Sequence, residues 1–281
     1  MNELLALYGL KFNPFTPELP IEALFVTPRV EDFCWRTEHA LVREGGFALI
    51  SGDAGLGKSV TLRTLTARLE RLPDLTLAVI SHPQSNLADF YREMGEIFSV
   101  ALKPHNRWGG FKTLRERWLA HLQATASRCL LIIDEAQELS PAVLCELRLL
   151  VSACFDSRQL IAVILAGDGR LTEKLRRDEL QPLGSRIRSR LALERAGCEE
   201  LLACLDHLLA SAGNAALMTP ELKHTVCEHG LGNYRVLMNL CAELLSAGAQ
   251  RKLPKLDEKL YLEVFAQTQP STAARRTPRA R

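Results

Sequence analysis

The sequence predicts an α/β protein with a three-layer αβα domain built on a parallel sheet, followed by a small all-helical domain. Three observations carry that prediction. A complete G-x-x-x-x-G-K-[ST] loop, Gly52-Asp53-Ala54-Gly55-Leu56-Gly57-Lys58-Ser59, sits between an apolar run at 47–51 and a helix-like stretch at 59–71. Strand and helix patterns then alternate as far as residue 166. After Leu191-Ala192-Leu193 only amphipathic helical patterns follow.

The elements follow in order. Strand 47–51 enters the loop and helix 58–71 leaves it. Strand 75–81, helices 86–99 and 111–125, strand 129–133, helix 140–153 and strand 160–166 complete the alternation. Cys129-Leu130-Leu131-Ile132-Ile133 is five apolar residues in a row, the pattern of a central parallel strand covered on both faces. Residues 198–211, 219–229, 233–248 and 256–267 read as helices, the second starting with Thr219 as N-cap and Pro220 in the first turn. The expected boundaries are 1–195 for the nucleotide-binding domain, 196–268 for the helical lid and 269–281 for a basic tail. From residue 271 that tail has four arginines, no acid and no large apolar side chain, which predicts disorder.

The loop names a phosphate ligand. Its glycines let successive N–H groups turn inward on phosphate oxygens, and the following helix presents its electropositive end to the same charge. The expected cradle is Gly52, Asp53, Ala54, Gly55, Leu56, Gly57, Lys58, Ser59 and Val60. Lys58 would reach the β- and γ-phosphates and the Ser59 hydroxyl would hold Mg²⁺. At the end of the 129–133 strand, Asp134 is placed to bind Mg²⁺ and Glu135 to polarise the attacking water. Loop and acid pair together point to NTP hydrolysis.

Composition sets limits. A chain of 281 residues with 47% apolar content can bury one large and one small core. No apolar run reaches the length of a membrane span, and the first residues lack a cationic leader, so a cytoplasmic protein is expected. Eight cysteines without a C-x-x-C pair read as reduced thiols, several of them in the core. A net charge of +2 is too small to argue a nucleic-acid partner. The segment 103–118 is richer, with five Lys or Arg against one Glu among aromatics. It reads either as a wall on which Lys103, Arg107 and Lys112 track DNA phosphates, or as a solvated helix face with Trp118 in the core.

An αβα nucleotide domain with a helical lid resembles the AAA+ ATPases. Within that class the chain is similar, over about residues 4–268, to the ExeA/TniB/MuB/TnsC-like group. The resemblance rests on Tyr8-Gly9-Leu10-Lys11-Phe12-Asn13-Pro14-Phe15, residues 47–59 and 131–137, Leu165-Ala166-Gly167-Asp168, and Gly232-Asn233-Tyr234-Arg235. It implies an ATP hydrolase with Mg²⁺ that forms a hexameric or heptameric ring or a helical filament on double-stranded DNA. Its partners would be a transposase and a TniQ-like target-selection protein. The alternative within the group is an ExeA-type secretion-associated ATPase. A P-loop kinase is disfavoured by the lid.

The resemblance further implies roles for particular residues. Asp168 stands where the first sensor lies. Arg235 opens a lid helix as the second sensor does, and is otherwise an ordinary solvated helix residue. Residues 12–15 would line the adenine pocket or serve as a hydrophobic anchor. The arginine finger falls among Arg186, Arg188 and Arg190. These alternate, so an extended segment puts all three on one face. Arg186 follows the turn-like Gly184-Ser185 and can best project, which assigns it the finger, with Arg188 second and Arg190 bracing the sheet end.

Overall fold

The computed structural model describes residues 2–81, 83, 86–102 and 106–265. These fall into two compact units, one of Leu24–Glu194 and one that joins the residues up to Ala23 with those from Arg195 onward.

The first unit is built on strands β1 (Gly46–Ser51), β2 (Leu77–Ile80), β3 (Leu130–Ile133), β4 (Ser152–Ala153), β5 (Arg158–Gln159), β6 (Ala162–Gly167) and β7 (Ile187–Ala192). Five of them form an all-parallel sheet in the order β2-β3-β6-β1-β7. Successive side chains in a strand point to opposite faces, and the two cores divide that way. Leu49, Leu131, Ile133, Val163 and Leu165 enter one cluster with side chains from helices Leu87–Ile97, Arg107–Thr125 and Pro141–Val151. Ala48, Ile50, Leu130, Ile132 and Ile164 enter the other, against helices Pro28–Arg36 and Lys58–Leu69. Both sheet faces are covered, which is why these strands read as unbroken apolar runs.

Three local differences from expectation have physical causes. The helix expected from residue 111 starts at Arg107, because Asn106 caps it by accepting from the Gly109 N–H at 2.8 Å. Gly109 and Gly110 are inside that helix. A Cβ on Gly110 would lie 2.9 Å from the Tyr91 ring, so the glycine permits close helix packing there. The helix expected to run to 153 ends at Val151, and β4 and β5 pair as a short antiparallel hairpin. Its tip, Cys154, Phe155 and Asp156, is left-handed at all three residues (φ 51°, 55° and 66°), and Phe155 stands fully in solvent. The last strand begins at Ile187, so Arg188 and Arg190 are strand residues.

The second unit contains helices Cys198–Ala212, Pro220–His229, Tyr234–Gln250 and Glu258–Phe265. Thr219 caps the second by accepting from the Leu222 N–H at 3.2 Å. Leu201, Leu205, Leu209, Leu222, Val226, Leu237 and Leu244 form its core together with Tyr8, Leu10 and Phe15. Described residues up to Ala23 therefore group with these helices, whereas the expected boundary put residues 1–195 in one domain. The Lys11 N–H donates to the Ala212 carbonyl at 2.8 Å, and the Asn214 amide to the Tyr8 carbonyl at 2.8 Å. Phe15, buried in that core, anchors the opening segment. Residues 266–281, including the basic tail and the expected end of the last helix, lie outside the described residues.

All eight cysteines are free thiols; five are buried, Cys145 and Cys198 are half-buried, and Cys154 is exposed. No helix among the described residues is long and apolar enough to cross a membrane.

Candidate nucleotide site

The phosphate loop connects β1 to helix Lys58–Leu69. Its entry is fixed by the Gly52 N–H donating to the Gly167 carbonyl at 3.2 Å and the Leu193 N–H donating to the Ser51 carbonyl at 2.7 Å. A Cβ at Gly52 would meet Leu193 Cβ at 2.8 Å, so only glycine allows this approach. Gly55 and Gly57 have φ of +83° and +98°, left-handed conformations that glycine adopts without strain. Lys58 is almost fully buried. Its Nζ donates to the Gly52 and Asp53 carbonyls at 2.7 and 3.2 Å, across the mouth of the loop. Ser59 follows in the first helical turn with its side chain exposed.

The acid pair lies on the same sheet edge. The registers Ser51↔Gly167 and Ile133↔Leu165 bring the carboxyl ends of β1 and β3 together on either side of β6. Two strand spacings separate them, roughly 10 Å. The crevice beyond the carboxyl ends of the strands is where open α/β sheets bind ligands. Asp134 is half-buried, and its Oδ1 accepts from the Glu135 N–H at 2.9 Å. Glu135 is exposed and takes a left-handed backbone, φ 49°. Loop, ammonium, hydroxyl and carboxylates are the donor set that a Mg²⁺–nucleotide requires. Ser59 and Asp134 carry hard oxygen atoms of the kind that would suit Mg²⁺, and the glycine turn and Lys58 would suit phosphates.

Asp168, between these two strand ends, has its carboxylate occupied. It caps helix Gly169–Leu175, accepting from the Arg170 N–H and from Arg170 Nε, both at 2.9 Å. Beside it lies a residue that the sequence reading did not single out. Gln137, buried in the 3-10 turn Ala136–Glu138, donates its amide to Glu135 Oε2 and accepts from the Asp168 N–H at 3.3 Å. The only sequence signal for it is an amide two residues after the acid pair.

The arginines are placed differently from one another. Arg186 does not project: its guanidinium is paired with Asp156 of the β4–β5 hairpin and donates to the Pro182 carbonyl. Arg188 and Arg190 are exposed on β7. Arg188 pairs with Glu44 at 2.9 Å, and Arg190 donates to the Gly184 carbonyl at 2.6 Å. In the helical unit Arg235 is exposed in the first turn of Tyr234–Gln250, where Asn233 caps by accepting from the Arg235 N–H at 3.0 Å. Gly232 sets that helix start. A Cβ there would meet the Ala196 carbonyl oxygen at 2.8 Å, and φ is +74°.

The three lysines and arginines expected at DNA also diverge. Lys103 lies outside the described residues. Arg107 is bound to Glu146 through both Nε, at 3.0 Å, and Nη2. Glu146 is only 2% exposed. Burial by itself would raise its carboxyl, but hydrogen bonds from Arg107 and Tyr91 hold it below the usual range. Arg107 is thus a structural cation in the first place. Lys112 is exposed, 3.8 Å from Glu116. Trp118 is fully buried in the core, and Trp108 is 74% exposed, stacked on Phe111 with Arg115 over that second ring.

Comparison with known proteins bears on this geometry. Residues 42–175 match the family described as AAA domain. General secretion pathway protein A of Aeromonas hydrophila is 30% identical over 255 residues, covering 89% of this chain and 45% of that protein. The chain thus spans less than half the length of this relative. Cdc6p from Pyrobaculum aerophilum is similar in structure at 15% identity and a TM-score of 0.66, covering 86% of this chain and 67% of that one. The Aeropyrum pernix ORC1 protein, solved in complex with DNA, matches at 15% identity and 0.66 over 90% of this chain and 68% of that one. Domain III of the Thermotoga maritima replication initiation protein DnaA matches at 18% and 0.58 over 90% and 97%. At such identities the structural likeness is one of fold. Residues 42–175 match the AAA domain family, and the parallel five-stranded sheet with its flanking helices has the P-loop AAA+ fold.

Proposed function

We propose that the chain is a Mg²⁺-dependent ATP hydrolase that associates with further copies of itself when ATP is bound. The observation that carries this reading is the shared sheet edge, with the Lys58 loop after β1 and the Asp134–Glu135 pair after β3. Phosphate oxygens of ATP would replace the Gly52 and Asp53 carbonyls as acceptors for the Lys58 ammonium. Ser59 and Asp134 would hold Mg²⁺, which when bound would neutralise phosphate charge. Glu135 takes a proton from water as the water oxygen bonds to the γ-phosphorus. The bond from that phosphorus to the bridging oxygen breaks, leaving ADP and phosphate.

Association follows if an arginine of one copy completes the site of the next. Arg186 takes that role once it leaves Asp156, with Arg188 the second candidate. Arg235 would serve as the second sensor, and Asp168 as the first once its carboxylate leaves Arg170. Mixing Arg186→Ala with Lys58→Ala tests the scheme, because each variant keeps one half of a shared site. Phosphate release regained in the mixture supports it. No activity at any ratio, with activity regained when Arg188→Ala replaces Arg186→Ala, moves the finger to Arg188.

Between the two downstream roles, the similarity to General secretion pathway protein A supports a secretion-associated ATPase. The other role is a regulator of DNA transposition, assembled on double-stranded DNA with a transposase and a TniQ-like protein. It draws on exposed Lys112 and the solvent-facing Trp108 ring. Fluorescence anisotropy with labelled duplex, with and without ATP, separates the two. Salt-dependent, ATP-dependent binding favours the DNA role, and its absence at low salt leaves the secretion role.

A further inference from the structure

Glu135 is an exposed carboxylate on a left-handed, non-glycine backbone, so its side chain needs an external hold if it is to meet a water in one orientation. The described residue that supplies one is Gln137. Its amide orientation is settled by its partners: the Asp168 N–H can only donate, so the amide oxygen faces it. The NH₂ group is then left to donate to the Glu135 carboxylate. Glycine at 167 leaves room for this arrangement, since a Cβ there would lie 2.5 Å from Gln137 Oε1. The backbone of Gln137 is fixed as well, with Lys174 Nζ donating to its carbonyl at 2.5 Å and to that of Leu139 at 2.8 Å. Asp168 cannot play the same part while its carboxylate caps its own helix and pairs with Arg170.

We infer that Gln137 is a positioning residue for Glu135, bridging the acid to the backbone at the end of β6 through the two ends of one amide. The inference rests on the reading of Glu135 as the base. It ties the aim of the carboxylate to the β6 edge, so a shift of the Asp168 N–H would re-aim the base.

The test uses the full chain. Gln137→Glu keeps the length but removes the donor, and Gln137→Leu removes both ends. Gly167→Ala pushes the amide from behind without altering it. Binding of a fluorescent ATP analogue should stay within about twofold of wild type in both Gln137 variants. The kcat for phosphate release should fall about 10- to 100-fold, the range seen when an orienting partner is lost. In a Glu135→Gln background, Gln137→Leu should cause no further loss, because it acts only through the acid. Wild-type kcat in Gln137→Leu and Gly167→Ala beside an inactive Glu135→Gln overturns this inference alone. A further tenfold loss in the double variant does the same, since it makes Gln137 an independent structural residue. Normal hydrolysis by Glu135→Gln overturns both this inference and the assignment of the base.

Discussion

The phosphate loop and the face of helix Arg107–Thr125 both carry cations conspicuous in the sequence, yet the fold treats them in opposite ways. Lys58 rests on two backbone carbonyls of its own loop, five and six residues away. Arg107 is bound to the carboxylate of Glu146, 39 residues away and buried. A cation on neutral carbonyls can turn to an anion at little cost. A cation that neutralises a buried carboxylate cannot leave without stranding that charge in the core. The number of basic residues in a segment therefore says little about how many are free to meet a ligand.

The largest effect should come from Lys58→Ala, which removes the loop's fixed cation. ATP binding or hydrolysis should fall below detection in binding and phosphate-release assays, and wild-type turnover would remove Lys58 from the comparison. Next, Glu135→Gln should keep nucleotide bound while kcat drops about 10²- to 10⁴-fold, the usual contribution of a general base. ATP-stabilised assemblies that persist in size-exclusion chromatography are the accompanying signature.

Arg107→Ala and Lys112→Ala sharpen the contrast on the helix itself. Arg107→Ala should destabilise the first unit by about 2 kcal/mol in urea titration, because among the described residues it leaves Glu146 with Tyr91 as its hydrogen-bond donor. Lys112→Ala, whose pair with Glu116 is solvent-exposed, should change stability by less than about 0.5 kcal/mol. Equal losses would show that Arg107 is no more committed than Lys112. The smallest effect is expected from Asp156→Asn, which removes the charge partner of Arg186 and leaves its hydrogen bond to the Pro182 carbonyl. ATP-dependent assembly should tighten by a fewfold if Arg186 is the finger, and an unchanged midpoint points to Arg188.

What was legible in the sequence depended on how far each residue's partners lie along the chain. The loop, the apolar strands and the Asp134–Glu135 pair are local patterns, and the structure places them on one edge. Asn233 and Thr219 cap their helices from residues two and three positions away. By contrast, Glu146 and Asp156 gave no sign that they would hold Arg107 and Arg186. Gln137 acts through a strand end 31 residues on. The Gly109-Gly110 pair resembles a break, and only the Tyr91 ring opposite explains why it sits inside a helix. Likewise Tyr8, Leu10 and Phe15 look like a leading edge of the sheet domain. Their burial among helices some 200 residues later is a tertiary fact with no local trace.

The left-handed tip of the β4–β5 hairpin also has a practical side. Cys154 is the one exposed thiol of the eight and lies two residues from the carboxylate that grips Arg186. A maleimide dye added to the unaltered protein would find this position first, with no cysteine introduced or removed. Its emission would then follow, turnover by turnover, whether Arg186 is at home or away.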